Sequence, residues 1–187
     1  MSLITGPLGQ KRLEILRDLV PRAKLVPFIL NPVSPDAIPE LRDVQGTAQA
    51  LDLELRVFQA STASEIDTVF AKLPDQHPDA LLVGSDPFFT SQAEHFATLA
   101  ARIGIPTIYP FREFTAAGGL VSYGTNLANA YRQAGIYTGR ILKGDKPSEL
   151  PVMQPTTFEL VINLRMARAL GIEIPATLHA RSDEVIE

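Results

Sequence analysis

Apolar runs alternate with amphipathic stretches along most of the chain. Leu8, Ile15, Leu16 and Leu19 fall on one helical face, and Pro21 stops that helix. Lys24 to Leu30 is a short apolar run cut off by Asn31-Pro32, which predicts a buried strand. From about Ala37, the residues Leu41, Val44, Ala48 and Leu51 recur at helical spacing and share one face. Leu53 to Gln59 then predicts a strand, with Leu53, Leu55 and Val57 alternating against Glu54, Arg56 and Phe58.

Thr62-x-x-Glu65 has the spacing of a capping box and opens a helix through Val69 and Leu73. Ala80 to Val83 is apolar on both faces, as a central parallel strand should be. Ser91-x-x-Glu94 reads as a second capping box, starting a helix through Phe96, Ala97 and Ala100 that ends at Gly104. Ile105 to Tyr109 is the next strand, and Leu120 to Tyr123 another after the turn signal Gly118-Gly119. Strand-helix repetition of this kind predicts an α/β fold with a doubly wound parallel sheet and right-handed crossovers. Beyond residue 124 the rhythm changes: a helix from Asn126 to Leu142, a Pro-containing connector, a strand from Thr156 to Asn163, and a short helix from Leu164 to Leu170 with Gly171 at its C-cap. The tail from Ile172 reads as extended and irregular.

Composition narrows the function classes. Apolar residues at 45 % and charged residues at 20 % describe a globular domain with a core. A net charge of −4 leaves no basic footprint for nucleic acid. The chain has no cysteine, so disulfides, thiolate metal sites and cysteine nucleophiles are excluded. No apolar run approaches the ~18 residues needed to span a bilayer. Met1 to Gly6 has neither a basic nor an apolar leader region, so no signal peptide is expected in these residues.

In open parallel sheets ligands bind beyond the carboxyl ends of the strands. Those ends carry Asn31-Pro32, Gln59 to Ser61, Ser85-Asp86-Pro87-Phe88-Phe89, Tyr109-Pro110-Phe111-Arg112 and Ser122-Tyr123-Gly124. The set is poor in acid/base chemistry and rich in aromatics, small polar groups and a carboxylate, which suits an organic ligand with a flat apolar part and a polar or cationic end. Gly84-Ser85-Asp86-Pro87 is not a hydrolase elbow, because Pro87 stands where a glycine is needed. Two readings of Ser85 and Asp86 stay open: they face a ligand, or they cap the following helix and stabilise the turn. Phe88, Phe89, Tyr109, Phe111 and Tyr123 line a pocket or pack as core; Tyr109 and Tyr123 suit a pocket better, and Phe89 suits the core. His77, His95 and His179 lie far apart and show no metal spacing, and neither a phosphate-cradling loop nor a dinucleotide fingerprint is present. Acidic pairs such as Asp183-Glu184 read as solvated surface. No metal, no cofactor and no catalytic apparatus are expected.

Gly9-Gln10-Lys11-Arg12-Leu13-Glu14-Ile15-Leu16 with Val20-Pro21 and Asn31-Pro32 resembles ABC transporter substrate-binding proteins of the tryptophan/aromatic-amino-acid-binding type. The resemblance continues through Ala117-Gly118-Gly119-Leu120-Val121-Ser122-Tyr123-Gly124, Ile141-Leu142-Lys143-Gly144, Phe158 to Asn163, and the ending Arg181 to Glu187. It implies a type I periplasmic-binding-protein-like fold, in which two α/β lobes close over a ligand. It further implies that 7–122 are the C-terminal lobe, that 123–155 hold a crossover and a helix of an N-terminal lobe lacking here, and that 156–187 return to the C-terminal lobe. The function implied is solute binding for an ABC importer, not catalysis. The ligand would be an amino acid or aromatic compound held by Asn31, Ser85, Asp86, Phe88, Tyr109, Ser122 and Tyr123, with Asp86 placed for an ammonium. The partners would be the importer's membrane subunits and no nucleic acid, and the location periplasmic or lipid-anchored outside the cytoplasm. An effector-sensing domain of a repressor-like regulator, or a small α/β enzyme, is the alternative. The apolar face of the 126–142 helix (Leu127, Tyr131, Ala134, Ile141) should lack its sheet, at a cost of a few kcal/mol at about 25 cal/mol per Å². That predicts a repacked, swapped or mobile segment, and a surface through which two copies could pair.

Overall fold

The computed structural model describes residues 6–151 and 157–187. Its elements follow the expected rhythm. Helix α1 (Gly6–Leu19) leads to strand β1 (Leu25–Leu30), α2 (Ala37–Ala50), β2 (Glu54–Gln59), α3 (Ala63–Gln76) and β3 (Leu81–Val83). After them come α4 (Pro87–Ser91), α5 (Ala93–Ile103), β4 (Thr107–Tyr109), α6 (Arg112–Ala116), β5 (Val121–Thr125) and α7 (Leu127–Leu142). The chain ends with β6 (Phe158–Asn163), α8 (Leu164–Ala169), α9 (Ala176–Arg181) and β7 (Glu184–Ile186).

The strands form one sheet in the order β2-β1-β3-β4-β5-β6-β7. All neighbours are parallel except β5 and β6, which run antiparallel with Ser122 opposite Val161 and Thr125 opposite Phe158. The sheet is therefore doubly wound and mostly parallel. The apolar run of β1 is buried at every position, whereas β2, at the sheet edge, mixes exposed and half-buried residues, with Val57 exposed and Phe58 half-buried. Continuity in the centre is as expected, but the strict alternation expected of β2 breaks at Arg56 to Phe58, as an edge strand covered on one side only allows.

Helices cover both faces. On one, Leu13, Leu16, Val44, Ala48 and Ala167 pack against Val26, Phe28, Leu82, Ile108, Val121 and Leu160. On the other, Phe70, Leu73, Phe96, Leu99 and Phe114 pack against Ile29, Leu81, Val83 and Tyr109. Phe96 is the hub of that second layer, with edge contacts to Phe70 at 5.8 Å, Phe89 at 5.1 Å and Phe114 at 6.0 Å.

Several local expectations change. Thr62 does cap α3, its Oγ1 accepting from the Glu65 N–H at 3.2 Å, and Gly104 closes α5 in the left-handed region at φ +69°. Ser91 does not open α5. It ends α4 and donates its hydroxyl to the Phe88 carbonyl at 2.7 Å, because Asp86 with Pro87 behind it makes a stronger helix start six residues earlier than Gln92. The tail is not irregular: α9 and β7 belong to it. Asp183 exchanges backbone and side-chain hydrogen bonds with Leu160 (2.9 and 2.8 Å), and Arg112 grips Glu184 with Nε and Nη2. That acidic pair is thus a sheet fastener rather than free surface.

Candidate functional site

The sheet order changes direction between β1 and β3, since β1 leads outward to β2 and β3 begins the run toward β7. A crevice is expected at such a switch point, outside the strand ends. It is there: a concavity of about 450 Å³ lies between the loop after β1 and the segment after β3. That size is within the range of small-molecule sites. The walls are Asn31 to Asp36 on one side and Ser85 to Phe88 with Thr90 on the other, with Phe111, Leu127 and Tyr131 completing the lining.

Local chemistry fixes both walls. Asn31 is buried, and its side-chain Oδ1 accepts from the Val33 N–H at 3.2 Å while its carbonyl accepts from Ser34 at 3.1 Å. This Asx-type turn bends the chain sharply after β1. Asp86 caps α4 through Oδ1, which accepts from the Phe89 N–H at 3.1 Å; its carbonyl accepts from the Thr90 N–H at 3.0 Å and hydroxyl at 2.9 Å. Capping engages one carboxylate oxygen; Oδ2 has no hydrogen bond among the described residues. The two open readings of Asp86 are therefore compatible in one side chain. Among the described residues the charged groups of the lining are Asp36 and Asp86, with no cation, so the concavity favours a positive or hydrogen-bond-donating group beside apolar surface.

Of the residues singled out in the sequence, Asn31, Ser85, Asp86, Phe88 and Phe111 come together here. Tyr109, Ser122 and Tyr123 do not line the concavity. Tyr109 is fully enclosed and stacks on Phe114 at 5.0 Å with 15° between the rings; burial pushes its phenol well above the ordinary tyrosine range. Ser122 is buried beside it in the sheet, and Tyr123, half-buried, leans on Phe158 at 6.4 Å. Tyr109 ends β4 but packs into the helix-covered layer against Phe114, and β5 runs on past Ser122 and Tyr123 to Thr125. Leu127 and Tyr131 take their place.

Behind Ser85 lies a pair that periodicity alone passed over. Arg12 of α1 and Glu40 of α2 are buried and ion-paired, Arg12 Nη2 donating to Glu40 Oε1. Arg12 Nη1 also donates to Ser85 Oγ at 3.0 Å, and Glu40 Oε2 accepts from the Ser85 backbone N–H at 3.0 Å. Burial pushes the Glu40 carboxyl up and the Arg12 guanidinium down, each opposed by the other's charge. A signal existed: Arg12 interrupts the apolar series Leu8, Leu16, Leu19, and Glu40 interrupts Ala37, Val44, Ala48. Opposite charges on two apolar stripes point to a buried partner for each.

Set beside known proteins, the chain matches the family model for ABC transporter substrate binding protein over residues 6–186. It is 24 % identical over 163 residues to the tyrosine-binding protein of Clostridioides difficile (strain R20291), covering 87 % of this chain and 47 % of that relative. The chain thus spans about half the length of this relative. A conserved domain protein from Vibrio cholerae superposes with a TM-score of 0.85 at 21 % identity, covering 95 % of this chain and 60 % of its own. An ABC domain from Streptococcus pneumonia, solved in complex with L-Trp, superposes at 0.84 with 22 % identity, covering 95 % and 62 %. At such identities the structures establish a shared fold.

Proposed function

The chain belongs to the ABC transporter substrate-binding protein family, and from that premise we propose that it supplies one wall of a solute-binding cleft serving an importer. The solute is an amino acid with an apolar or aromatic side chain. The observation that carries this reading is the concavity at the β1/β3 switch point, where aromatic and apolar surface adjoins carboxylates with no cation present. Asp86 Oδ2 receives the ammonium, a charge-assisted bond worth about 1.5–3 kcal/mol. Phe88, Phe111 and Tyr131 offer flat surface for the side chain. The tyrosine-binding relative and the L-Trp-bound neighbour support this ligand class.

The second wall belongs to a further lobe. Residues 7–122 and 156–187 form the lobe described here, and 123–155 lead into the other, with α7 as one of its helices. In support, the outward face of α7 is apolar and uncovered: Tyr131 is 73 % exposed and Leu142 82 %. Closure of the two lobes brings the solute out of water and presents the closed form to the importer's membrane subunits outside the cytoplasm. The protein performs no catalysis.

Calorimetric titration of the protein with its second lobe in place, using L-tyrosine, L-tryptophan and an indole acid lacking the ammonium, tests the reading. Asp86→Asn keeps a side chain able to cap α4 but removes the charge. Its unfolding free energy should stay within about 0.5 kcal/mol of the parent's, while affinity for the two amino acids falls roughly ten- to a hundredfold. Equal binding of the amino acids and the ammonium-free acid would sink the role of Asp86, and no binding of any amino acid would sink the solute class.

A further inference from the structure

The Arg12–Glu40–Ser85 network ties together three elements that are remote in sequence. Arg12 lies within α1, Glu40 in the first turn of α2 directly after the Asn31–Asp36 wall, and Ser85 in the opposite wall after β3. Two glycines make room for it. A Cβ on Gly9 would come within 2.9 Å of Val44 Cγ2, so the side chains of α2 pack directly on the backbone of α1. A Cβ on Gly84 would meet the Ile29 carbonyl at 3.1 Å and Glu40 Oε2 at 3.3 Å, pressing on the carboxylate where it accepts from Ser85. An ion pair this deeply buried is a poor source of stability, because desolvating both charges offsets their attraction, and apolar replacements of equal volume are often as stable. What such a pair supplies is a fixed geometry.

We propose that Arg12 and Glu40 are positioning residues of the ligand site, clipping the start of α2 to the backbone of Ser85 so that the two walls hold their spacing before a solute arrives. The inference rests on the reading of the concavity as a solute site. Neither side chain lines the concavity, so both act through the walls. Glu40 holds the N–H of Ser85 and Arg12 its hydroxyl, one residue before the carboxylate that meets the ammonium. Preorganisation of this kind lowers the ordering entropy that binding must otherwise overcome.

The discriminating variant is the double replacement Arg12→Met with Glu40→Leu, which removes both charges and keeps the volume. It should fold cooperatively with an unfolding midpoint at or above the parent's. Affinity for L-tyrosine and L-tryptophan, measured with the second lobe in place, should nevertheless fall about tenfold or more. Amide hydrogen exchange without solute should speed up about tenfold at 84–90 and 31–36, with the amides of β1 and β4 unchanged. A purely structural pair predicts that stability, affinity and exchange move together or not at all. Arg12→Lys keeps a charge opposite Glu40 but not the fork reaching Ser85 as well, so it should show the same losses in smaller measure. Parental affinity and parental exchange in either variant would overturn the proposal. If the parent binds neither amino acid, the solute class fails, and the exchange measurement still decides the positioning role on its own.

Discussion

Helices α5 and α7 carry the same kind of sequence and meet opposite fates. Both are amphipathic at helical period. In α5, Phe96, Ala97, Leu99 and Ala100 are all buried against the sheet. In α7 only Leu127 and Ala130, in the first turn, are buried; Tyr131, Ile141 and Leu142 along the same stripe stand exposed. Its N-terminus is fixed by Asn126, whose side chain accepts from the Asn129 N–H at 2.8 Å and donates to Glu159 at 2.8 Å. The difference separates two things that periodicity confounds. An apolar stripe states that a helix has a partner surface, and it is silent about where that surface lies.

The largest effects should fall on the covered side. Phe96→Ala removes the hub of three aromatic contacts and should lower stability by about 3–5 kcal/mol in denaturant titration, whereas Ile141→Ala should stay within about 0.5 kcal/mol. A loss above about 1 kcal/mol for Ile141→Ala would mean that its face is covered in solution, and the contrast between the two helices would collapse.

Charge sharpens the same contrast. Glu40 sits on the covered face of α2, so Glu40→Leu alone strands the Arg12 guanidinium in the core. It should cost about 3–5 kcal/mol in the same titration, with recovery when Arg12→Met is added. If the single and double variants are equally stable, the pair is hydrated and the site behind Ser85 is not the dry network described.

The success of pattern reading follows the same division. Strands β1 to β6 were legible to within two residues, because continuous apolar runs have few alternatives in a sheet covered on both faces. The antiparallel setting of β6 was not, since hydrophobicity carries no strand direction. β7 was missed because Glu184, Val185 and Ile186 are only half-buried, and it is held by the distant partners Arg112 and Leu160. Around the concavity, the grouping of Asn31, Ser85, Asp86 and Phe88 was legible because turn chemistry after a strand is a local signal. Tyr131 escaped because it reaches the concavity from a helix of the following segment. Arg12 and Glu40 escaped because a charge on an apolar stripe becomes meaningful only once its opposite is seen on the neighbouring helix.

The smallest effect probes whether α7 belongs to the cooperative unit at all. Gly139 lies inside α7, and a Cβ there would meet nothing within 4 Å. Alanine is favoured over glycine in a helix interior by about 0.8–1.0 kcal/mol, so Gly139→Ala should strengthen the helix without a new contact. Where that gain appears depends on coupling. If α7 unfolds only with the sheet, global stability rises by the full amount. If its outer turns open on their own, as their few packing contacts predict, the denaturation midpoint stays put and amide protection over 135–142 rises about fourfold. The second outcome is expected for this chain by itself. A matching rise in global stability would place α7 on the same footing as α5, and its exposed stripe would then need no second lobe to account for it.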